Sequence, residues 1–109
     1  MNSEINHQSY YAVIFTTTRT EDDSGYEETA KRMKELAVEQ PGFLGIESAR
    51  NENTRFGITV SYWRDLESIK NWKQNIEHVE ARKLGKEKWY ANYTLHICKV
   101  EREYEWSKK

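Results

Sequence analysis

This chain has one cysteine, no long apolar run and almost balanced charge. Each of these features argues against a class of protein. The single cysteine, Cys98, excludes an internal disulfide and a cysteine-based metal cluster, and its alternating strand context favours a buried, inert thiol. No apolar run approaches the roughly 18 residues that a membrane helix needs. The N-terminus MNSEINHQSYY lacks the basic and apolar regions of a signal peptide. We therefore predict a soluble, cytoplasmic protein with no membrane partner.

The charge and glycine patterns argue against nucleic-acid and nucleotide partners. The 17 basic and 18 acidic residues are interleaved and give a net charge of -1, so no basic surface is indicated. Gly42 and Gly45 do not lead from a strand into a helix, as the glycines of a phosphate-binding loop do. No group of His, Cys or carboxylate residues has the spacing of a metal site. The sequence predicts no nucleic-acid partner, no metal and no cofactor.

Aromatic residues, in contrast, are plentiful: they make up 13% of the chain and include four Trp. Large rings bury much area per side chain, which helps a small domain to build a core. We expect a disordered tail over residues 1–8, which contains His7, and one domain over residues 9–109. A domain of this size removes only roughly two thirds of its unfolded surface from water, so a partner chain is expected to cover part of the rest.

Hydrophobic periodicity predicts six elements in the order βαββαβ. The segments are a strand over 10–18, a helix to about residue 39, strands over 43–50 and 55–63, a helix over 65–85 and a strand over 91–106. Asp23 or Ser24 is the predicted N-cap of the first helix, and Gly85 is the predicted end of the second. In one small domain this order indicates an α+β, ferredoxin-like fold with an antiparallel four-stranded sheet and both helices on one face.

The face of the sheet away from the helices is expected to need a cover. Tyr62 and Trp63 are neighbours on a strand and face opposite ways, so one packs under the helices while the other can line an interior. We expect Thr, Ser and Gly to mix with Trp and Tyr on the uncovered face. A second copy of the sheet would then pack there around a partly hollow interior, which makes the protein a homodimer.

Three segments together carry a family resemblance: PGFLGIESAR, GITVSYWRDLESIKNW, and EHVEARKLG followed by a Tyr-rich last strand. Over roughly residues 9 to 106 the chain resembles the antibiotic biosynthesis monooxygenase superfamily of dimeric α+β barrels, and most of all an uncharacterised small bacterial branch. The resemblance implies a homodimer whose last strand crosses to the partner, and a pocket between the sheet and the second helix. The superfamily includes cofactor-free oxygenases of polycyclic phenols, quinol monooxygenases, haem-degrading enzymes and proteins without an assigned activity.

The haem-degrading branch has a signature that this chain matches only in part. The signature is an Asn near the end of the first strand, a Trp on the second helix and a His about ten residues later. The Trp is present as Trp72, but Thr18 and Arg19 stand where the Asn is expected, and Arg82 stands in place of the His. A guanidinium stays protonated and cannot ligate iron. His78 follows Trp72 by six residues, about 240 degrees round an ideal helix. Haem degradation is therefore the weakest of the alternatives.

Four polar residues follow one another at helical spacing: Asn71, Asn75, His78 and Arg82. Of these, His78 and Arg82 are the candidates for chemistry. On a continuous helix the four would align as a polar stripe that could wall a pocket. Two other interpretations stay open. The stripe could be a solvated helix edge, and Asn75 could cap a new helical segment, which would break the phase.

The residues and the resemblance together lead to one hypothesis, a cofactor-independent monooxygenase that acts on a small aromatic, phenolic or quinol-like compound. His78 would take a proton and Arg82 would stabilise an anionic oxygen, with His96 as the second candidate base. The predicted substrate-binding residues are Tyr62, Trp63, Trp72 and Asn75. Trp72 stands at the centre of the apolar stripe, where a tryptophan is more often a core residue than a catalytic one. The alternative is a non-catalytic dimer that binds a small hydrophobic molecule or acts as a stress accessory protein.

Overall fold

The computed structural model describes residues 3–4 and 9–108, with only the backbone described at residues 3, 4 and 76. The tail predicted over residues 1–8, with His7, lies for the most part outside these ranges. Two of its residues, Ser3–Glu4, pair in antiparallel fashion with Tyr104–Glu105. Among the described residues, no helix is both long and apolar enough to cross a membrane.

The centre of the molecule is a four-stranded antiparallel sheet. Its strands are β1 (Tyr10–Arg19), β2 (Phe43–Arg50), β3 (Phe56–Trp63) and β4 (Tyr90–Val100), arranged in the spatial order β2-β3-β1-β4. The strands are rich in aromatic and β-branched residues, which pack well on a pleated surface. In the register, Val13 of β1 lies between Ser61 of β3 and Ile97 of β4. The predicted ferredoxin-like α+β fold is confirmed.

Three α-helices accompany the sheet: α1 (Tyr26–Val38), α2 (Leu66–Gln74) and α3 (Ile76–Leu84). A short π-helical turn, Gly85–Trp89, joins α3 to β4. The prediction of one continuous helix to Gly85 was wrong, because Asn75 adopts φ -58° and ψ 129° and ends α2. Its side chain then caps α3, which is the alternative that helical periodicity could not decide.

The predicted N-cap of α1 was also wrong. Neither Asp23 nor Ser24 caps the helix; Gly25 occupies this position with φ +84° and no side-chain cap. The Asp23 carboxylate is held elsewhere, 3.3 Å from an Arg19 guanidinium nitrogen and 2.7 Å from one of Arg55. These ion pairs join the end of β1 to the β2–β3 hairpin, so long-range charge pairing has replaced a local cap.

The core lies between the helices and one face of the sheet. Its buried centre is Ala37, Trp63 and Ile69, and the partly buried residues around it are Tyr11, Val13, Phe43 and Trp72. Gly57, Thr59 and Ser61 share the Trp63 side of β3 and therefore lie under the helices. Small side chains there leave room for the large rings to pack. The expectation that Thr, Ser and Gly would mark the uncovered face was wrong for β3, whose uncovered face carries Ile58, Val60 and Tyr62.

The turn before β2 is packed directly against the start of α2. Gly42 has φ +84°, and a Cβ added there would lie 1.9 Å from Ser68 Oγ. The Arg64 N–H donates to the Gly42 carbonyl at 2.8 Å. Ser68 is buried and donates both its N–H and its hydroxyl to Asp65 Oδ1, which caps α2. The Pro41-Gly42 pair therefore allows a close backbone approach at this point.

The last strand is shorter than predicted. It ends at Val100 instead of continuing to Trp106, and only Tyr104–Glu105 returns to extended pairing. Cys98 lies on β4 opposite Ala12, on the face away from the helices, and its side chain is exposed. The expectation of a buried thiol was wrong because β4 is an edge strand that is exposed to solvent over most of its length.

Candidate functional site

The break between α2 and α3 leaves two carbonyl groups of α2 for side chains to bind. In a continuous helix the amides of residues 76 and 77 would take the carbonyls of Trp72 and Lys73. Here His78 Nδ1 lies 3.0 Å from the Trp72 oxygen, and Arg82 Nη2 donates to the Lys73 oxygen at 3.0 Å. Both candidate catalytic residues are therefore anchored to the end of α2.

His78 is held from three directions. Its ring stacks on Trp72, with ring centroids 4.2 Å apart and planes 12° apart, and its backbone N–H donates to Asn75 Oδ1 at 3.2 Å. Because a carbonyl oxygen can only accept, Nδ1 of His78 must carry the hydrogen in the contact with the Trp72 oxygen. In the neutral ring this leaves Nε2 without a hydrogen and able to accept a proton.

The surroundings of His78 favour this neutral form. Burial lowers the pKa of His78, and the positive charge of Arg82 lowers the pKa further, while the hydrogen bond to the Trp72 carbonyl acts in the opposite direction. A neutral imidazole with a free Nε2 has the protonation state of a general base.

Arg82 supplies a positive charge beside the imidazole. Its Nη2 binds the Lys73 carbonyl, whereas its Nε is buried and has no hydrogen-bond partner among the described residues. A guanidinium remains charged at any physiological pH, so a donor in this position can stabilise an anion.

Two tryptophans support the His78 ring from the side of the core. Trp63 has no accessible surface, and its Nε1 donates to Ser61 Oγ at 2.9 Å. Trp72 stacks on Trp63 with centroids 6.1 Å apart and is itself only partly buried. The order Trp63, Trp72, His78 is therefore a stack that runs from the core outward, in which a ligand can touch the outer members but not Trp63.

An apolar row lies on the same side of the sheet as this stack. Ile97 is opposite Val13, which packs against the buried core together with Trp72. Tyr93 and Leu95 continue the row along β4, and each of these three side chains is 41% to 49% exposed. Apolar side chains left open on the helix side of a sheet are suited to the wall of a pocket for an apolar ligand.

Tyr62, in contrast, lies away from the other predicted site residues. It is on the opposite face of the sheet, in edge-on contact with Tyr10, and both line an open cavity of about 770 Å³. The Tyr10 hydroxyl donates to the Glu103 carboxylate, and this bond raises the pKa of Tyr10 to about 12. The pairing of Tyr10 with Glu103 could not be predicted from the sequence, because 93 residues separate them and no short motif connects them.

The remaining candidates are also dispersed. His96 is exposed on the face away from the helices, opposite Ile14. Arg19, near the position of the Asn in the haem-degrading signature, lies 4.3 Å above the Tyr26 ring, and its Nη1 is 3.5 Å from a Glu27 carboxylate oxygen. Of the six predicted site residues, the structure brings four together with Trp63 as a support: Trp72, Asn75, His78 and Arg82.

Comparisons with known proteins agree with the architecture. The model of the family described as antibiotic biosynthesis monooxygenase matches residues 9–84. The uncharacterised protein YqjZ of Bacillus subtilis strain 168 is 49% identical over 94 residues, which cover 86% of this chain and 82% of that protein.

Solved structures show the same fold. SnoaB, a cofactor-independent oxygenase from Streptomyces nogalater solved as a mutant, aligns with a TM-score of 0.72 at 11% identity, over 84% of this chain and 93% of its own. Rv0793 from Mycobacterium tuberculosis aligns with a TM-score of 0.73 at 11% identity, over 82% of this chain and 92% of its own. At such identities the likeness concerns the fold alone. The family model, however, matches most of the chain, and the protein belongs to the antibiotic biosynthesis monooxygenase family.

Proposed function

We propose that the protein is a cofactor-independent monooxygenase that acts on a small aromatic, phenolic or quinol-like compound. The observation that carries the proposal is the geometry of the His78 ring, which stacks on Trp72 and donates from Nδ1 to the Trp72 carbonyl, so that the lone pair of the neutral ring is on Nε2. SnoaB, which shares the fold, is described as a cofactor-independent oxygenase and supports the same reaction class.

Each residue of the stack has a role in this reaction. Nε2 of His78 accepts the phenolic proton, and the Arg82 guanidinium stabilises the phenolate that results. The outer face of the Trp72–His78 pair and the apolar row Tyr93, Leu95 and Ile97 hold the aromatic ring. Trp63 supports Trp72 from inside the core, whereas Tyr62, on the other face of the sheet, does not contact this site.

The electrons for the reaction come from the substrate. A phenolate is electron-rich and can react with O₂ at the ring carbon opposite its oxygen. In the overall change, a phenol and O₂ give a quinone and water: one oxygen atom becomes bonded to the ring carbon, and the other leaves as water with the hydrogen of that carbon and the phenolic hydrogen. No external reductant is required, so the reaction needs only a binding site that excludes water and one group that accepts a proton.

We further propose that the protein is a homodimer, with a second copy covering the face that carries Ile58, Val60 and Tyr62. Two apolar side chains on this side of the molecule, Leu44 and Phe56, are 56% and 46% exposed. A partner that buries them would also shield the cavity beside Tyr62. The relative in Bacillus subtilis supports a bacterial source for the chain, and the cytoplasmic location stays a prediction.

The test is oxygen consumption with a panel of phenols, quinols and anthrone-like compounds, with no added metal or flavin. We expect turnover with at least one compound. His78→Ala should lower kcat by roughly 100-fold or more, the usual contribution of a general base. Arg82→Ala should also lower kcat, whereas Lys83→Ala, which removes a neighbouring exposed charge, should not.

Three results would change the conclusion. Full activity in His78→Ala together with loss of activity in His96→Ala would show that the general base is His96, on the other face of the sheet. Binding of panel compounds without oxygen uptake would favour the non-catalytic small-molecule binder. A shifted Soret band on haem titration, followed by bleaching with a reductant, would instead support haem degradation.

A further inference from the structure

His78 and Trp72 would not meet on an uninterrupted helix. Six residues correspond to a rotation of about 240 degrees and a rise of about 9 Å, so the two side chains would leave the helix in different directions. In the structure their rings are 4.2 Å apart and almost parallel. The change of direction between α2 and α3 is therefore what creates the stacked pair.

Asn75 is the residue at which this change occurs. Its backbone leaves the helical region, and its N–H donates to the Trp72 carbonyl at 3.1 Å. Its side-chain oxygen accepts the backbone N–H of His78 at 3.2 Å. The same carbonyl of Trp72 that ends α2 then binds the His78 ring at Nδ1. One asparagine thus ends the first helix, starts the second and holds the backbone of the histidine.

We propose that Asn75 is a positioning residue, which fixes His78 in the tautomer with the hydrogen on Nδ1 and the lone pair on Nε2. It acts through His78 and not by contact with the substrate, which differs from the substrate-binding role expected from the sequence. That this tautomer serves a general base rests on the proposed function. The tautomer itself does not, and it can be measured without any substrate.

The experiment uses ¹⁵N NMR of the labelled full-length protein at a pH where His78 is neutral, with the His78 ring signals assigned from His78→Gln. In the native protein we expect the signals of a single tautomer, protonated at Nδ1. Asn75→Ala removes the acceptor and favours a continuous helix, so it should give the mixture of tautomers of a free imidazole. Asn75→Ser keeps a neutral cap oxygen and should restore the Nδ1 tautomer. Asn71→Ala, at an exposed position of α2, is the matched control.

Turnover is measured on the same variants. Asn75→Ala should lose roughly 10- to 100-fold in kcat, since a displacement of about 1 Å at a reacting group can cost that much. Asn75→Ser should recover most of this loss, and KM should change little in both, because neither substitution removes a ligand contact.

Two results would overturn the proposal: a native His78 protonated at Nε2, or an Asn75→Ala variant in which the Nδ1 tautomer persists unmixed. The measurement on the native protein decides the first point even where a variant folds poorly. A confirmed tautomer in a protein that turns over no compound of the panel would refute the oxygenase proposal alone. A native protein that turns over a panel compound but shows a mixture of His78 tautomers would refute only the role of Asn75.

Discussion

At the scale of single residues, burial and hydrogen bonding shift the pKa of the His78 imidazole in opposite directions. Burial lowers the pKa of His78, whereas donation from Nδ1 to the Trp72 carbonyl stabilises the protonated ring as well as the neutral one. Burial is the larger effect, so the ring is held neutral in one tautomer. The same residue type at position 96 is exposed and has no such surroundings. The two residues are the same in the sequence, and only their packing in the fold makes them different.

The lowered pKa of His78 predicts a pH dependence of stability. The unfolded chain binds the proton near the usual histidine pKa of about 6.5, whereas the folded protein binds it only at lower pH. Between these two values the unfolded state carries more protons, so the free energy of unfolding should fall as the pH drops below about 7. Urea unfolding from pH 8 to pH 5 measures this slope.

The comparison for this slope is His78→Phe, which keeps a ring on Trp72 but cannot titrate. The slope should be smaller in His78→Phe than in the native protein, whatever its absolute stability. His96→Phe, on the other face of the sheet, is the matched control. Equal slopes in the native protein and His78→Phe would contradict the prediction.

Arg82 provides a second prediction at the scale of single residues. Its charge lowers the pKa of His78, so Arg82→Gln, which removes the charge, should raise this pKa toward its usual value. Titration of the His78 ring by NMR measures the shift, with Lys83→Gln as the control for a general loss of positive charge. An unchanged or lower His78 pKa in Arg82→Gln would show that Arg82 does not act on the imidazole.

At the scale of elements, periodicity predicted the strands and the hairpin well, because alternation over 55–63 matches a pleat with one covered face. It failed at Asn75, since a helix interior and a helix cap have the same local pattern and tertiary contacts decide between them. The stacking of His78 on Trp72 follows from that break, so it could not be predicted from continuous helical geometry. The capping tendency of Asn75 was the one available signal.

The contact between the turn before β2 and the start of α2 predicts an unequal effect of two glycine substitutions. Gly42 and Gly25 both have φ +84°, but a Cβ at Gly25 would lie 3.7 Å from the nearest atom, Trp89 Cζ2, and a Cβ at Gly42 only 1.9 Å from Ser68 Oγ. Gly25→Ala should therefore lower the free energy of unfolding by about 1 kcal/mol, for the left-handed backbone alone. Gly42→Ala has the same backbone cost and in addition overpacks the contact with Ser68, so it should lower the free energy of unfolding by about 3 kcal/mol or more.

Chemical denaturation of the two variants provides the measurement. The difference between them reports the close approach at Gly42, because the backbone conformation is common to both. Combining Gly42→Ala with Ser68→Gly, which removes both clashing atoms of Ser68, its hydroxyl at 1.9 Å and its Cβ at 2.6 Å, should cost less than the sum of the two single substitutions. Equal effects of Gly25→Ala and Gly42→Ala would mean that the turn and α2 are not in tight contact.

At the scale of the whole molecule, the sheet has one face packed by helices and one face that no described helix covers. The sequence correctly predicted this two-sided architecture, since a small domain with many large rings has more apolar surface than it can bury. It misassigned the residues of β3 to the two faces, because Gly57, Thr59 and Ser61 look like surface residues by type. Their small size instead leaves room for Trp63, which is fully buried and stacks on Trp72 of α2.

The uncovered face leads to the prediction on assembly. Ile58 is near its centre, paired with Thr16 on one side and Ala49 on the other. In a dimer built on this face, Ile58→Glu would bury one unpaired carboxylate in each subunit. Each such charge costs several kcal/mol, so the dissociation constant should rise by at least about 100-fold. Analytical ultracentrifugation at micromolar concentration should find dimers of the native chain and monomers of Ile58→Glu, with unchanged far-UV circular dichroism.

Leu66→Glu is the matched control, because Leu66 is 53% exposed at the first position of α2, where an acidic residue suits the helix. It should remain dimeric. If Leu66→Glu dissociated and Ile58→Glu did not, the interface would lie on the helices. A monomeric native chain would leave the uncovered face in water, and the enclosed interior beside Tyr62 would be lost. The site on the other face would not be affected, because Trp72, His78 and Arg82 are held by contacts within one chain.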